Sequence, residues 1–149
     1  MTMLTKLKYA GVSIEDLLEI YSLFIRSTAE YCAVAFHPSL TVAQATDIER
    51  IQKVSLKIIL ADNYIDYGAA LEMTGLQTLH NRREKPCLDF AKKCLKHPRH
   101  KKLFPTNSTL KDSTNIRNRE PFTVNFARTE RYKKSSIPYC QRLLNKNFK

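Results

Sequence analysis

The chain has 149 residues, with 25 Lys and Arg against 14 Asp and Glu, a formal net charge of +11. Hydrophobic residues make up 43% of it, enough for a single compact core. No apolar run is long enough to cross a bilayer, and the first residues lack the apolar centre of a secretory signal. We therefore expect an intracellular protein of the nucleus or cytoplasm, without a transmembrane helix.

The charge is unevenly distributed along the chain. Residues 1–97 carry 12 Lys and Arg against 11 Asp and Glu, which leaves a net charge of +1. Residues 98–149 carry 13 against 3, which leaves +10. This contrast predicts a helical module over 1–97 and a basic extension over 98–149. Such an extension suits polyanionic partners, and a solvated tail that keeps the protein soluble is the alternative.

The first long helix is predicted between Ser13 and His37. Ser13 and Asp16 form a weak version of a capping box. Since proline disfavours helical geometry in the preceding residue, Pro38 should end the helix before His37. The face expected to point inward has helical spacing and consists of Leu17, Leu18, Tyr21, Phe24, Ile25, Thr28 and Cys32.

The second helix begins with a full capping box, Thr41 with Gln44, and is predicted over residues 42–60. Its inward face is expected to contain Ala45, Ile48, Ile51, Ser55, Ile58 and Ile59. Its polar face carries a basic stripe formed by Arg50, Lys53 and Lys57. The stripe is a candidate for contacts with phosphate groups, and a solvated helix face is the alternative.

Two further helices complete the predicted module. Residues 67–74 form a short helix that Gly75 ends, and Thr78 caps another helix from Leu79 to about Leu95. Pro86 within it should cause a kink or a break. Its inward face is expected to contain Leu79, Cys87, Phe90, Ala91, Cys94 and Leu95. The fold class is therefore all-α, a small four-helix module with short connections.

The extension is predicted to be largely irregular. Residues 105–120 contain too little apolar material to form a core, whereas Phe122, Val124 and Phe126 alternate with polar residues as in a short strand. Residues 136–144 have the pattern of a closing helix, which would allow the tail to dock back on the module. The tail's candidate phosphate contacts are Arg117, Arg119, Arg128, Arg131, Lys133 and Lys134.

Metal and catalytic motifs are weak. Cys87, Cys94, His97 and His100 give the spacing C-x6-C-x2-H-x2-H, but zinc sites usually place their first two ligands two to four residues apart. The sequence has no phosphate-binding glycine loop, no paired-aspartate metal motif and no nucleophile elbow. We predict no catalytic residue, no metal, no cofactor, no small-molecule substrate and no membrane partner.

Short motifs follow one another along nearly the whole chain. Those before residue 97 are formed by Ile20, Tyr21, Phe24, Ile25, Arg26, Glu30, Tyr31, Cys32, Phe36, His37, Pro38, Leu40, residues 48–53 and 56–59, Tyr67, Ala70, Leu71, Leu76, Thr78, Leu79, Arg82, Arg83, Glu84, Cys87 and Phe90. Those in the extension are formed by Phe122, Val124, Arg128, Thr129, Arg131, Tyr132, residues 136–138 and 143–145. In this order they resemble the end of non-LTR (LINE-type, jockey-like) retrotransposon reverse transcriptases, which are RNA-directed DNA polymerases.

The resemblance implies that the first two helices belong to the polymerase thumb, which packs on the primer–template duplex. The remainder would be the post-thumb part. Family members commonly have tryptophan where this chain has Phe36 and proline where it has Ser27. The matched segments include neither fingers, palm nor endonuclease, so the resemblance implies no DNA synthesis by this chain.

Two functional hypotheses follow. The first is a truncated retrotransposon remnant with at most weak, sequence-independent binding to the RNA or DNA backbone. The alternative is a helical adaptor that binds an acidic protein through its basic tail. Translated debris without a function, and a residual polymerase activity, are the other possibilities.

Overall fold

A computed structural model describes residues 2–107 and 120–147, and within these ranges the chain is predominantly helical and forms no strand. The predicted all-α class is confirmed, but the predicted count of four helices before residue 97 is wrong: the described part of that stretch forms seven, because an additional helix precedes Ser13 and the first predicted helix is broken into several. The helices are α1 Thr2–Tyr9, α2 Ile14–Ile20, α3 Ser27–Glu30, α4 Ala33–Phe36, α5 Val42–Leu60, α6 Tyr67–Thr74, α7 Leu79–Lys96, α8 Glu130–Lys133 and α9 Ser136–Asn147. A π-helical segment, Tyr21–Arg26, lies between α2 and α3.

The described residues divide into two compact units. The first contains residues 2–32 and 40–83, and the second contains residues 33–39, 84–107 and 120–147. The division falls inside α7, between Arg83 and Glu84, whereas the change in charge falls after His97. Packing and charge therefore mark different boundaries.

Helix α5 is the centre of the first unit. Its predicted capping box is present, with the Thr41 hydroxyl accepting from the Gln44 amide N–H and the Gln44 side chain accepting from the Thr41 amide N–H. Helices α1, α2 and α6 pack against α5. The core side chains are Leu4, Leu17, Tyr21, Leu56, Ile59, Leu60 and Ala70. Helix α6 ends as predicted at Gly75, which has a left-handed φ of 64°.

The first predicted helix ends earlier than expected. It stops at Glu30, and Cys32 adopts a positive φ of 54° before α4 begins. Phe24 is 62% exposed, and Thr28 and Cys32 are also exposed, so the predicted core positions of these three residues are wrong. The wider turn of the π-helical segment shifts the residues after Tyr21 relative to the face that Leu17 buries. Cys32 lies beyond the end of the helix, where the backbone leaves helical geometry at Tyr31.

The second unit packs α9 against the later part of α7 and against α4. Its core contains Cys87, Ala91, Cys94, Phe104, Phe122, Cys140, Leu143 and Leu144. The Ser136 hydroxyl at the start of α9 donates to the Val34 carbonyl at 2.8 Å. The predicted closing helix and its return to the helical module are confirmed.

The predicted strand over residues 122–126 is wrong. Phe122 forms a single antiparallel bridge with Thr106. Side chains of α9 occupy the backbone groups that a strand would pair: Asn145 Oδ1 accepts from the Phe122 N–H at 2.9 Å, and Gln141 Oε1 accepts from the Asn125 N–H at 2.8 Å. Side-chain amides therefore replace a β-ladder here.

Candidate nucleic-acid interface

The basic stripe of α5 lies on the side of the helix opposite its buried face. Arg50 and Lys57 are exposed and Lys53 is half-buried, whereas the inner face buries Gln52, Ser55, Leu56, Ile59 and Leu60. The Lys53 ammonium lies 5.0 Å from the centre of the Tyr67 ring, and the Lys57 ammonium lies 5.4 Å from that of Tyr64. Aromatic faces attract cations, so both lysines are held against the protein surface.

A buried polar network fixes the orientation of α5. Gln52 is fully buried; its Oε1 accepts from the Tyr21 hydroxyl at 2.7 Å, and its Nε2 donates to the Tyr67 hydroxyl and the Gln77 carbonyl, both at 3.0 Å. The Tyr67 hydroxyl donates in turn to Glu49. Burial raises the pKa of Tyr21 and of Tyr67, and for Tyr67 the bond to Glu49 adds to this effect. Both phenols are therefore neutral donors at physiological pH.

Glu49 also lines an open groove of about 440 Å³ on the first unit. Its carboxylate accepts from the amide N–H groups of Leu79 at 3.1 Å and His80 at 3.3 Å, at the amino end of α7. Carboxylates stabilise helix amino ends, and together with the Tyr67 contact these bonds give Glu49 a structural role.

The candidate cations of the tail are exposed where the structure describes them. Arg128, Arg131, Lys133 and Lys134 all lie at the surface, around the short helix α8 that Thr129 caps. Lys133 forms an exposed ion pair with Glu130 at 3.1 Å. Arg117 and Arg119 lie outside the described residues. Two aromatic rings are exposed beside these cations: Phe126 is 85% exposed and Tyr132 is 44% exposed.

A third basic surface was not singled out from the sequence. It consists of the exposed residues Lys92, Lys93, Lys96, Arg99, Lys101 and Lys102, and we call it the 92–102 patch. The exposed rings of His97 and His100 lie within it and stack on each other, with centroids 4.4 Å apart and an angle of 27° between the planes. The sequence signal that could have found this surface is that residues 90–107 contain no Asp or Glu.

The three buried cysteines, Cys87, Cys94 and Cys140, are unsuited to chemistry at neutral pH. Burial raises the pKa of the Cys87 thiol to about 11 and that of Cys140 to about 12, so both stay protonated and unreactive. Cys94 is also buried, whereas His97 and His100 are exposed. Across residues 2–107 and 120–147, no three His, Cys, Asp or Glu side chains gather as metal ligands.

Comparisons with protein-family models, curated proteins and solved structures gave no match. Within the described part of the chain, no helix combines the length and the apolar character that a membrane span requires. The charges, the geometry and the sequence resemblance are therefore the features that bear on function.

Proposed function

We propose that this protein binds RNA or DNA weakly and without sequence preference, through contacts between exposed cations and the phosphate backbone. The observation that carries the proposal is the exposure of Arg50, Lys57, Arg128, Arg131, Lys133 and Lys134. Exposed cations reach phosphates without leaving buried partners unpaired, and each contact releases counterions from the nucleic acid. The net charge of +11 adds long-range attraction to any polyanion.

The cations of α5 contribute less than those of the tail. Lys53 and Lys57 already contact tyrosine rings, so a phosphate must compete with those contacts. In the tail, Lys133 forms its ion pair with an exposed carboxylate, and such pairs contribute little. The tail cations are therefore the more accessible of the two sets.

The origin of the chain is part of the proposal. Its motif order supports descent from the thumb and post-thumb part of a non-LTR retrotransposon reverse transcriptase, and an all-α fold is compatible with that descent. The proposal includes no polymerase activity. We expect no primer extension in the presence of magnesium, and detectable synthesis would contradict this part.

The binding proposal is tested with the full chain and labelled oligonucleotides of unrelated sequence, by fluorescence anisotropy at low salt. The variant Arg128→Ala/Arg131→Ala/Lys133→Ala/Lys134→Ala should weaken binding to every sequence by a similar factor, because phosphate contacts carry no sequence information. The control Lys6→Ala/Lys85→Ala removes two exposed cations outside the proposed contacts and should have little effect. No binding by the unmodified protein, or a loss confined to one sequence, would contradict the proposal.

The adaptor alternative predicts a different competition result. If the tail binds an acidic protein and not nucleic acid, an acidic polypeptide such as polyglutamate should bind, and oligonucleotides should fail to displace it. Displacement by oligonucleotides favours the nucleic-acid proposal.

A further inference from the structure

The 92–102 patch carries a net charge of +6 over eleven positions, a higher net density than the +3 over the seven positions of residues 128–134. Its six Lys and Arg residues occur within eleven positions without an acidic residue among them. The tail set of Arg128, Arg131, Lys133 and Lys134, by contrast, contains Glu130, which pairs with Lys133. A phosphate backbone therefore meets no repulsive carboxylate from within the 92–102 segment.

The patch is built on ordered backbone. Its first half lies on α7, whose opposite face is buried through Cys87, Ala91 and Cys94. Its second half is a 3-10 turn, His100–Leu103, followed by the buried Phe104. Gln141 Nε2 donates to the Leu103 carbonyl at 2.8 Å and fixes the end of this turn. Both halves are thus attached to the core of the second unit.

The helix dipole explains only part of this charge. Cations in the last turn of a helix stabilise its carboxyl end, which accounts for Lys93 and Lys96. Arg99, Lys101 and Lys102 lie beyond the helix, and the dipole effect falls off within the last turn. The dipole therefore does not account for these three cations, and all three are exposed.

The histidine pair adds a feature that phosphate binding alone does not need. The stacked rings of His97 and His100 are exposed among the cations. Proteins that bind single strands combine a basic surface with aromatic side chains on which unpaired bases stack, and histidine is among those side chains. Bases in a duplex are already stacked and cannot use such a ring.

We propose that the 92–102 patch is the principal binding site for single-stranded nucleic acid, with its Lys and Arg residues on the phosphates and an unpaired base stacked on the His97–His100 pair. This inference rests on the proposed function. It assigns the main binding site for nucleic acid to the 92–102 patch, and single strands as the preferred ligand.

The site is tested with two variants of equal charge in the full chain. Lys96→Gln/Arg99→Gln/Lys101→Gln/Lys102→Gln alters the patch, and Arg128→Gln/Arg131→Gln/Lys133→Gln/Lys134→Gln alters the tail. Binding to fluorescein-labelled oligothymidine is measured as a function of salt. The patch variant should bind about tenfold or more weakly at low salt, and its salt slope should fall by about 0.7 for each phosphate that it no longer neutralises.

The tail variant, which has the same net charge, should lose clearly less affinity than the patch variant. An equal or larger loss in the tail variant would overturn the assignment of the site. Failure of the unmodified protein to bind any oligonucleotide would instead overturn the proposed function, so the two failures are distinguishable. Circular dichroism of both variants checks that the helices are retained.

The preference for single strands is tested with His97→Ala/His100→Ala. This variant should bind oligothymidine about fivefold more weakly or worse, since base stacking on aromatic side chains is strong enough for such a loss. Its affinity for a duplex should stay within about twofold, and His97→Phe/His100→Phe should restore single-strand binding because phenylalanine also stacks. Equal losses on both ligands, or no loss on either, would overturn the stacking part.

Discussion

Gln52 connects three parts of the first unit through one side chain. Its amide contacts the hydroxyls of Tyr21 and Tyr67 and the carbonyl of Gln77, which lie on different segments of the chain. A buried amide with all its partners present favours a single arrangement of the surrounding helices. The orientation of α5, and with it the direction of its basic stripe, depends on this residue.

Replacing Gln52 with leucine should destabilise the protein. The change leaves the Tyr21 hydroxyl and the Gln77 carbonyl without the amide, and a buried polar group that loses its partner costs about 1–3 kcal/mol. The free energy of unfolding, measured with urea, should fall by that amount. The control Arg50→Ala, at an exposed position of the same helix, should change it by less than about 0.5 kcal/mol. A Gln52→Leu effect as small as the control's would show that the network is not stabilising.

The buried thiols make stability depend on alkaline pH. Burial raises the pKa of Cys87 to about 11 and that of Cys140 to about 12, from an ordinary value of 9.0. At a pH between the ordinary pKa and the raised pKa, the thiol of the unfolded chain has lost its proton while that of the folded protein keeps it. Stability therefore falls as pH rises through this interval. From about pH 8 to about pH 10 the free energy of unfolding should drop by about 1 kcal/mol for each of these thiols.

The control variants for the thiols are Cys140→Ala and Cys32→Ser. Cys140→Ala should show a shallower decline with pH, whereas Cys32→Ser should keep the full decline because Cys32 is exposed. Equal pH dependence in all three proteins would contradict the assignment of this effect to burial.

At the level of elements, helices with strong end signals were predictable from sequence. Helices α5 and α6 begin and end at the predicted residues, because the Thr41–Gln44 capping box and Gly75 supply local hydrogen bonding and backbone geometry. The π-helical segment and the break at Cys32 have no such local signal. The inner face of α5 was predicted only in part: Ser55 and Ile59 are buried as predicted, whereas Ile51 is 38% exposed and the polar Gln52 is buried.

Pro86 is an element-scale exception, because α7 continues from Leu79 to Lys96 through it and the alternative of a break is wrong. Its exposed ring removes one backbone donor from the helix interior. Pro86→Ala should therefore raise the free energy of unfolding, by up to about 3 kcal/mol, in a urea titration. The neighbouring exposed control Lys85→Ala should change it little. A decrease in stability for Pro86→Ala would show that the fold requires the proline.

For the whole molecule, composition predicts a class of partner more readily than it predicts which residues would contact that partner. The count of +11 predicts attraction to polyanions, and residue order supplied the resemblance to a retrotransposon polymerase. Neither the charge count nor the residue order showed which cations contact neighbouring side chains. Exposure depends on packing between segments distant in sequence, so Lys53 against Tyr67 and the stacked His97–His100 pair became visible only in the structure.

The claim to be tested is the proposed binding of nucleic acid through backbone phosphates. The most direct test is the affinity of the full chain for oligonucleotides of unrelated sequence, measured as salt rises from about 50 to about 200 mM. If about six phosphates are neutralised, affinity should fall roughly a thousandfold, equally for each sequence. A signal that does not depend on salt, or no binding at low salt, would contradict the claim.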